Sequence, residues 1–515
     1  MKKLISFIYI IMAVSYTCSA IDTVELKLPK SNKVVIKLMF KCGSICDPKG
    51  KEGLTYLMAK TIIEGGTQKM TSSEVKDFIY PLAIDYSVSI DKEVTCFTFE
   101  IYKDFVPKIY NTLVKGLLLT PRMDIADFDR TKSNQLNYVE QVIKTSSDEE
   151  YGKMALEDYL FRGTNFQAMV RGTASGVKNC TLDDVKKQYK NFITANNVTI
   201  GIAGGYTDEF LQQFKTDMQQ LSAVNPIIPQ PGKALKAEGL NVEIIQKDNA
   251  LGSAISAGFE LPITRSDNDF AAMMIANSWL GEHRKAYSHL YKKIREERSM
   301  NYGDYSYIEW YSNGGQNMLP RPGYPRSSNY FSIWLRPVQT ASGLKRQYEE
   351  LKNISIGHAH FAIRMALSQM QELIEKGMGE KEFELTKTFL RSYIKLYAQT
   401  PEQQLGYLMD SHFYGRKDWL KEVDGMLESV TYPDMMMAMR KYWQTQNMFI
   451  TIVTDKTEAQ PLKESLEKNL ASPMSYSNAL KDVLTPEILN EDNTVSEYKL
   501  NIKKVNIVNS ADLFK

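Results

Sequence analysis

One strand is written twice in this chain. Asn196-Asn197-Val198-Thr199-Ile200-Gly201-Ile202 and Gln446-Asn447-Met448-Phe449-Ile450-Thr451-Ile452 each set a polar pair before an apolar run. Asn197 and Asn447 stand 250 positions apart (447 − 197), close to half of the 515 residues. A repeat on that scale restricts the chain to two copies of one plan, and the openings of the two halves agree. Val34, Ile36, Leu38 and Phe40 alternate as a half-buried strand, and so do Ile255, Ala257, Phe259 and Leu261. The first strand leads through a Gly- and Pro-containing loop to a helix over 53–64. The second leads to Ser266–Asp269, a capping-box-like start for a helix from Phe270 to Leu280. Between the halves, Pro226, Pro229, Pro231 and Gly232 cannot continue a helix and read as a linker, with the boundary near residue 235. Strands and helices intermixed at hairpin-like spacing predict an α+β fold of two homologous domains rather than a doubly wound parallel sheet.

Charge and targeting signals narrow the setting. Lys plus Arg number 63 against 61 Asp plus Glu, so a net charge of +2 gives no global field for nucleic acid or an anionic membrane. Residues 1–20 read as an export signal: Lys2-Lys3, an apolar run from Leu4 to Val14, and a short polar stretch ending Cys18-Ser19-Ala20. That run is too short to span a bilayer, and no other segment is apolar for long enough. Cleavage after Ala20 is the favoured reading, giving a periplasmic or extracellular protein with no transmembrane segment. A lipoprotein held through Cys18 is the alternative, with Thr17 a poor residue before the cysteine. Of the remaining Cys42, Cys46, Cys96 and Cys180, the first two are close enough to bridge across a loop, and three pairings of the four stay open.

Gly53 to Thr67 reads GLTYLMAKTIIEGGT, with Leu54, Leu57, Met58, Thr61 and Ile62 forming one buried helical stripe. The wider stretch from Lys41 to Gln68, KCGSICDPKGKEGLTYLMAKTIIEGGTQ, resembles the strand, loop and first helix of the pitrilysin, insulinase and mitochondrial-processing-peptidase family, peptidase family M16. In that family's H-x-x-E-H motif, two histidines at i and i+4 hold zinc and the glutamate polarises a metal-bound water. Tyr56, Ala59 and Lys60 stand at those three positions. A lysine there brings a like charge to a metal position. All five histidines, His283, His289, His358, His360 and His412, lie in the second half, so the first has no imidazole to offer. Glu140, Glu149 and Glu150 lie near the region of the family's third zinc ligand, and each reads as a helix-surface charge. The resemblance runs from about residue 24 to the C-terminus. It implies two domains of the LuxS/MPP-like metallohydrolase type, 21–235 and 236–515, each a curved mixed sheet backed by helices.

The second half keeps a different part of the family pattern. In LYKKIREERSMNYGDYSY, Tyr287, Leu290, Tyr291 and Ile294 form an apolar helical stripe, and Arg295 and Tyr302 flank the turn into a strand. The spacing is similar to the family's R/Y pair, R-E-x-x-x-x-x-Y. A guanidinium offers paired donors to a carbonyl or carboxylate, and a phenol can donate to an oxyanion. Taken alone, each is more often a packing tyrosine or a helix-end cation. Arg298 reads as a solvated charge. His358 and His360 diverge at a helix start and read as structural or capping residues. The stretches Asn329–Gln339 and GHAHFAIRMALSQMQELIEKGMGEKEFELTKTFL are similar to exported bacterial members.

These features predict a subunit that holds no zinc and donates Arg295 and Tyr302 to an H-x-x-E-H-bearing M16 partner, which carries the zinc, for hydrolysis of unfolded peptides. Two alternatives are kept. One is a noncatalytic binding or scaffold protein on the same fold; the other is a self-sufficient zinc peptidase with unrecognised ligands.

Overall fold

Two β-sheets, one from each half, carry the same strand order. They are seen in a computed structural model that describes residues 21–309 and 322–515; the export signal read in 1–20, Cys18 included, lies outside them. The first sheet runs β1 (Asp22–Lys27), β5 (Val198–Gly204), β2 (Lys33–Phe40), β4 (Thr95–Tyr102), β3 (Asp85–Ile90). The second runs β6 (Leu240–Lys247), β10 (Met448–Asp455), β7 (Gly252–Glu260), β9 (Tyr330–Gln339), β8 (Asp304–Tyr307), with β11 (Ile502–Asn509) added beside β6. In each, the opening strand pairs in parallel with the closing strand and every other shared pairing is antiparallel. The fold is α+β with two mixed sheets, and the chain from 223 to 237 between them has no regular element.

Alternation accounts for one face of β2 and of β7. Val34, Ile36, Leu38 and Phe40 are buried against the helices of their own half. Val35, Lys37 and Met39 on the opposite face are buried as well, so the strand is not half-exposed as its pattern suggests. The cover comes from the other half. The helix Pro401–Phe413 crosses β1, β5 and β2, and its Leu405 and Met409 pack with Val35, Met39 and Ala203. Lys37 is carried into this layer with a partner: its Nζ lies 2.5 Å from Glu402 Oε1 and 3.2 Å from Thr98 Oγ1.

The exchange is reciprocal. The helix Asp148–Leu160, from the first half, crosses β7 and β10 of the second sheet. Gly152 faces the Val453 and Ser256 side chains at the contact; a Cβ there would stand 3.4 Å from the first and 3.6 Å from Ser256 Oγ. Thr451 Oγ1 donates to Gly152 O at 2.9 Å. Each fully buried Leu, Met or Val in these layers contributes about 1.5–3 kcal/mol, so the two halves are held by core-like packing.

A charged turn also joins them. Asp91, Lys92 and Glu93, between β3 and β4, are buried against residues 326 and 327 of the second half. Arg326 makes a bidentate pair with Asp91, both contacts at 2.7 Å, and a third contact at 2.7 Å to Glu157. Lys92 Nζ lies 2.7 Å from the other Glu157 oxygen. Ser327 donates to Glu93 through its backbone N at 2.6 Å and its hydroxyl at 2.7 Å.

Nearby, Asp410 on the crossing helix accepts from Gly323 N at 3.0 Å and lies 3.6 Å from Arg265 Nη1. Burial pushes its carboxyl up to about 7, against the opposing charge of Arg265. A folded-state value above the unfolded one means that this group's contribution is full below about pH 4 and is lost as pH rises through about 7. Asp410→Asn is therefore expected to flatten the fall in unfolding free energy between about pH 5 and 8 by about 2 kcal/mol. Urea melts at the two pH values measure it, and an unchanged slope would rule the assignment out.

The helix Phe270–Gly281 begins where expected, but no side chain caps it. Asp269 instead pairs with Lys441 and Tyr442, each at 2.8 Å, and Asp267 accepts from Thr264 N. The capping-box reading of Ser266–Asp269 is corrected accordingly. All four described cysteines are buried and unbridged.

Candidate functional site

The helix α1 (Leu54–Glu64) keeps its stripe in the core, with Leu54, Leu57, Met58, Thr61 and Ile62 all buried. Its first turn has no local cap; Asp47 reaches back to accept from Gly53 N and Thr55 N, each at 2.7 Å. That satisfies two donors which a helix start leaves open. Tyr56 and Lys60, one turn apart, line a cavity of about 230 Å3 together with Tyr138, Glu157, Arg171 and Met154. Ala59 is fully buried and offers only a methyl.

The donor set of this cavity does not fit zinc. Lys60 Nζ is bound to Glu64 Oε1 at 2.8 Å, and an ammonium has no lone pair to give. The Arg171 guanidinium lies 3.6 Å from the Tyr138 ring centroid and 5.2 Å from that of Tyr56, a second cation at the place a metal would need. Glu157 is engaged by Lys92 and Arg326. Burial alone would raise it, but those two cations hold its carboxyl at about 2. Among the described residues, no group of three or more His, Cys, Asp or Glu is placed to hold a metal ion.

Arg171 was not legible in the sequence; its position comes from the backbone. Gln135 Nε2 donates both to Arg171 O at 2.8 Å and to Gly53 O at 2.9 Å, tying the Arg171 loop to the start of α1. The next residue, Gly172, has φ +81°, and a Cβ there would meet Glu52 O at 2.0 Å. Only glycine fits such a contact. Tyr138 opens a π-helical turn, Tyr138–Val142. Burial pushes its phenol up, and the Arg171 charge works against that.

Arg295 also sits on a π-helical turn, Tyr291–Glu296, a local widening frequent at functional sites. The guanidinium stands 5.9 Å from the Tyr302 ring centroid. Ser299 N donates to Arg295 O at 2.9 Å and Ser299 has φ +52°, which turns the chain sharply back toward β8. Asn301 then fixes the loop by donating to Asp304 Oδ1 at 2.7 Å and Arg336 O at 3.0 Å. Tyr302 is 79% exposed, so this arrangement presents its phenol to solvent. Of the helical stripe before it, Leu290 and Ile294 are buried, whereas Tyr287 is exposed and lies edge-on to Phe389.

The structure thus brings Tyr56 and Lys60 together, and Arg295 and Tyr302 together, but neither member of the second pair lines the cavity above α1. Arg298 is not solvated. It is buried, with contacts of 2.7 Å to both Asp492 and Glu491, because the helix Pro486–Ser496 folds back over it. Glu140 is a part-exposed partner of Lys178, but Glu149 and Glu150 are more than surface charges: both hold Lys153, and Glu149 also meets Arg336 at 3.2 Å. His358 and His360 are buried, with Nε2 at 2.9 Å from Ser475 O and Nδ1 at 3.2 Å from Ser465 Oγ; neither side chain caps the helix that starts there.

Residues 23–174 match the family model described as Insulinase (Peptidase family M16), and residues 179–390 match the one described as Peptidase M16 inactive domain. The chain is 21% identical over 393 residues to the non-peptidase homolog YmxG of Helicobacter pylori, an alignment covering 74% of this chain and 79% of that protein. A crystal structure of a peptidase M16 inactive domain from Pseudomonas fluorescens superposes with a TM-score of 0.70 at 16% identity, covering 85% of this chain and 96% of that one. A chain of complex III2 from Candida albicans superposes with a TM-score of 0.63 at 12% identity, covering 84% and 93%.

Proposed function

Because this chain belongs to peptidase family M16, we propose that it is the non-zinc-binding, substrate-binding subunit of an exported heterodimeric M16-type zinc peptidase. It completes the active site of a partner that carries H-x-x-E-H, for the hydrolysis of unfolded peptides. The observation that carries this reading is the contrast between the two candidate sites. The α1 helix retains its fold with Tyr56, Ala59 and Lys60 at the three motif positions, while Tyr302 is exposed with the Arg295 guanidinium beside its ring. Arginine presents a planar pair of donors to substrate carbonyl or carboxylate, and the phenol donates to an oxyanion that the partner's chemistry generates. The name non-peptidase homolog, carried by the Helicobacter relative, supports a chain that does not cleave peptides alone. Export rests on Lys2-Lys3 and the apolar run after them.

Co-expression with an exported M16 subunit bearing H-x-x-E-H tests the proposal. Cleavage of unfolded peptides is expected only from the pair, with zinc in stoichiometric amount on the partner. Stoichiometric zinc together with cleavage by this chain alone would overturn it. A pair that assembles but cleaves no better than the partner alone would favour the scaffold reading.

A further inference from the structure

The cavity above α1 retains an electrostatic feature that the loss of zinc ligands does not explain. Arg171 lies against the rings of Tyr138 and Tyr56 and, among the described residues, makes no ion pair with a carboxylate. The acids around it are engaged elsewhere. Glu157 is held by Lys92 and Arg326, Glu64 by Lys60 and Arg130, and Glu150 by Lys153. Lys60 and Arg130 are balanced by Glu64 and Asp127, so among the described residues lining the cavity Arg171 is the cation without a carboxylate partner.

The walls make that charge count. Val88, Ile90, Met154, Met169 and Val170 supply the apolar part of a mixed lining, and a guanidinium set in a recess attracts an anion more strongly than one fully surrounded by water. The Gln135 clamp fixes the Arg171 backbone and the ring contacts position its guanidinium, which limits the side-chain entropy lost on binding. The volume, about 230 Å3, lies below the range of about 300–1,000 Å3 typical for drug-sized ligands. It admits one end or one side chain of a longer molecule.

We infer that this cavity is a carboxylate-binding subsite: Arg171, framed by Tyr56 and Tyr138 with Lys60 at the rim, receives a carboxylate of a peptide, supplied by its C-terminus or by an acidic side chain. The site replaces metal chemistry with anion recognition at the same place in the fold. It rests on the cavity and not on the heterodimer reading, so the two are tested separately.

The experiment is calorimetric titration of the full chain, without partner or added zinc, using three blocked tripeptides. Acetyl-Ala-Leu-Phe with a free C-terminus and acetyl-Ala-Leu-Glu amide each carry one carboxylate; acetyl-Ala-Leu-Phe amide carries none. At least one acid is expected to bind more tightly than the neutral peptide by about tenfold or more, the size of one charge-assisted contact, and the better of the two acids identifies the source. Arg171→Gln is expected to bring the acids down to the level of the amide, while Arg171→Lys retains part of the preference. Thermal melts confirm that both variants are folded. Equal binding of acids and amide, no binding by any of the three, or a preference unchanged in Arg171→Gln would overturn the inference. Inorganic phosphate displacing the better acid as effectively as the peptide competes with itself would overturn the peptide assignment. Each of these outcomes leaves the cleavage assay of the heterodimer untouched.

Discussion

Arg326→Ala is expected to lower the unfolding free energy by about 3–5 kcal/mol, the usual cost of stranding buried charges. The guanidinium is the sole link between Asp91 and Glu157 in the described network, and both acids are buried beyond the reach of water. Lys92 can still serve Glu157, but Asp91 would lose both of its arginine contacts. If the loss comes from stranded charge, Asp91→Asn in the Arg326→Ala background should recover part of it. A second variant no better than the first would point to lost packing instead. The acid limb gives an independent reading. Glu157 is held at about 2, below its ordinary 4.5, so its contribution is complete above about 4.5 and is lost as pH falls toward 2. Without Arg326 the folded value rises, and this part of the acid dependence should shrink.

In the reconstituted heterodimer, Tyr302→Phe is expected to cut kcat/KM by about 10²–10³, the loss seen when one oxyanion donor is removed. Assembly and zinc content should not change, because the phenol is exposed and makes no core contact that the ring does not keep. Arg295→Lys should act differently. A lysine keeps the charge but loses the planar fork, so the expected change is a higher KM with kcat less affected. Steady-state kinetics on both variants separate the roles. Wild-type kcat in Tyr302→Phe would remove the tyrosine from the reaction.

The duplicated plan was legible because each half writes its own strands and turns locally. Val34, Ile36, Leu38 and Phe40 announce one buried face, and the repeated closing strand announces the second sheet. What escaped was everything that depends on residues hundreds of positions away. Val35 and Met39 are covered by Leu405 and Met409, and no local pattern carries that information. Nothing local to Asp91-Lys92-Glu93 announces Arg326, 233 residues on from Glu93 (326 − 93), and Arg298 reads as a solvated charge until the helix carrying Glu491 and Asp492 arrives. The candidate site divides the same way. Tyr56, Ala59 and Lys60 were found through the family-like words around α1, and Arg295 and Tyr302 through their likeness to the family's R/Y pattern across one turn. Arg171 and Tyr138 escaped because a loop and a π turn bring them to α1 through the backbone clamp at Gln135.

The exchanged helices set a timetable for synthesis. The first sheet closes its strand order at Gly204, but the helix that covers its outer face ends at Phe413, 209 residues later (413 − 204). At about 5–20 residues per second, a ribosome takes roughly 10–40 s to deliver that helix. Throughout the interval Val35, Met39 and Ala203 face the surroundings as an uncovered apolar layer, the kind of transient surface that invites association between nascent chains. Released as a separate polypeptide, the first half would keep that surface indefinitely, and the second half would lack the helix over β7 and β10 in the same way. Maturation of either sheet therefore depends on completion of the whole chain.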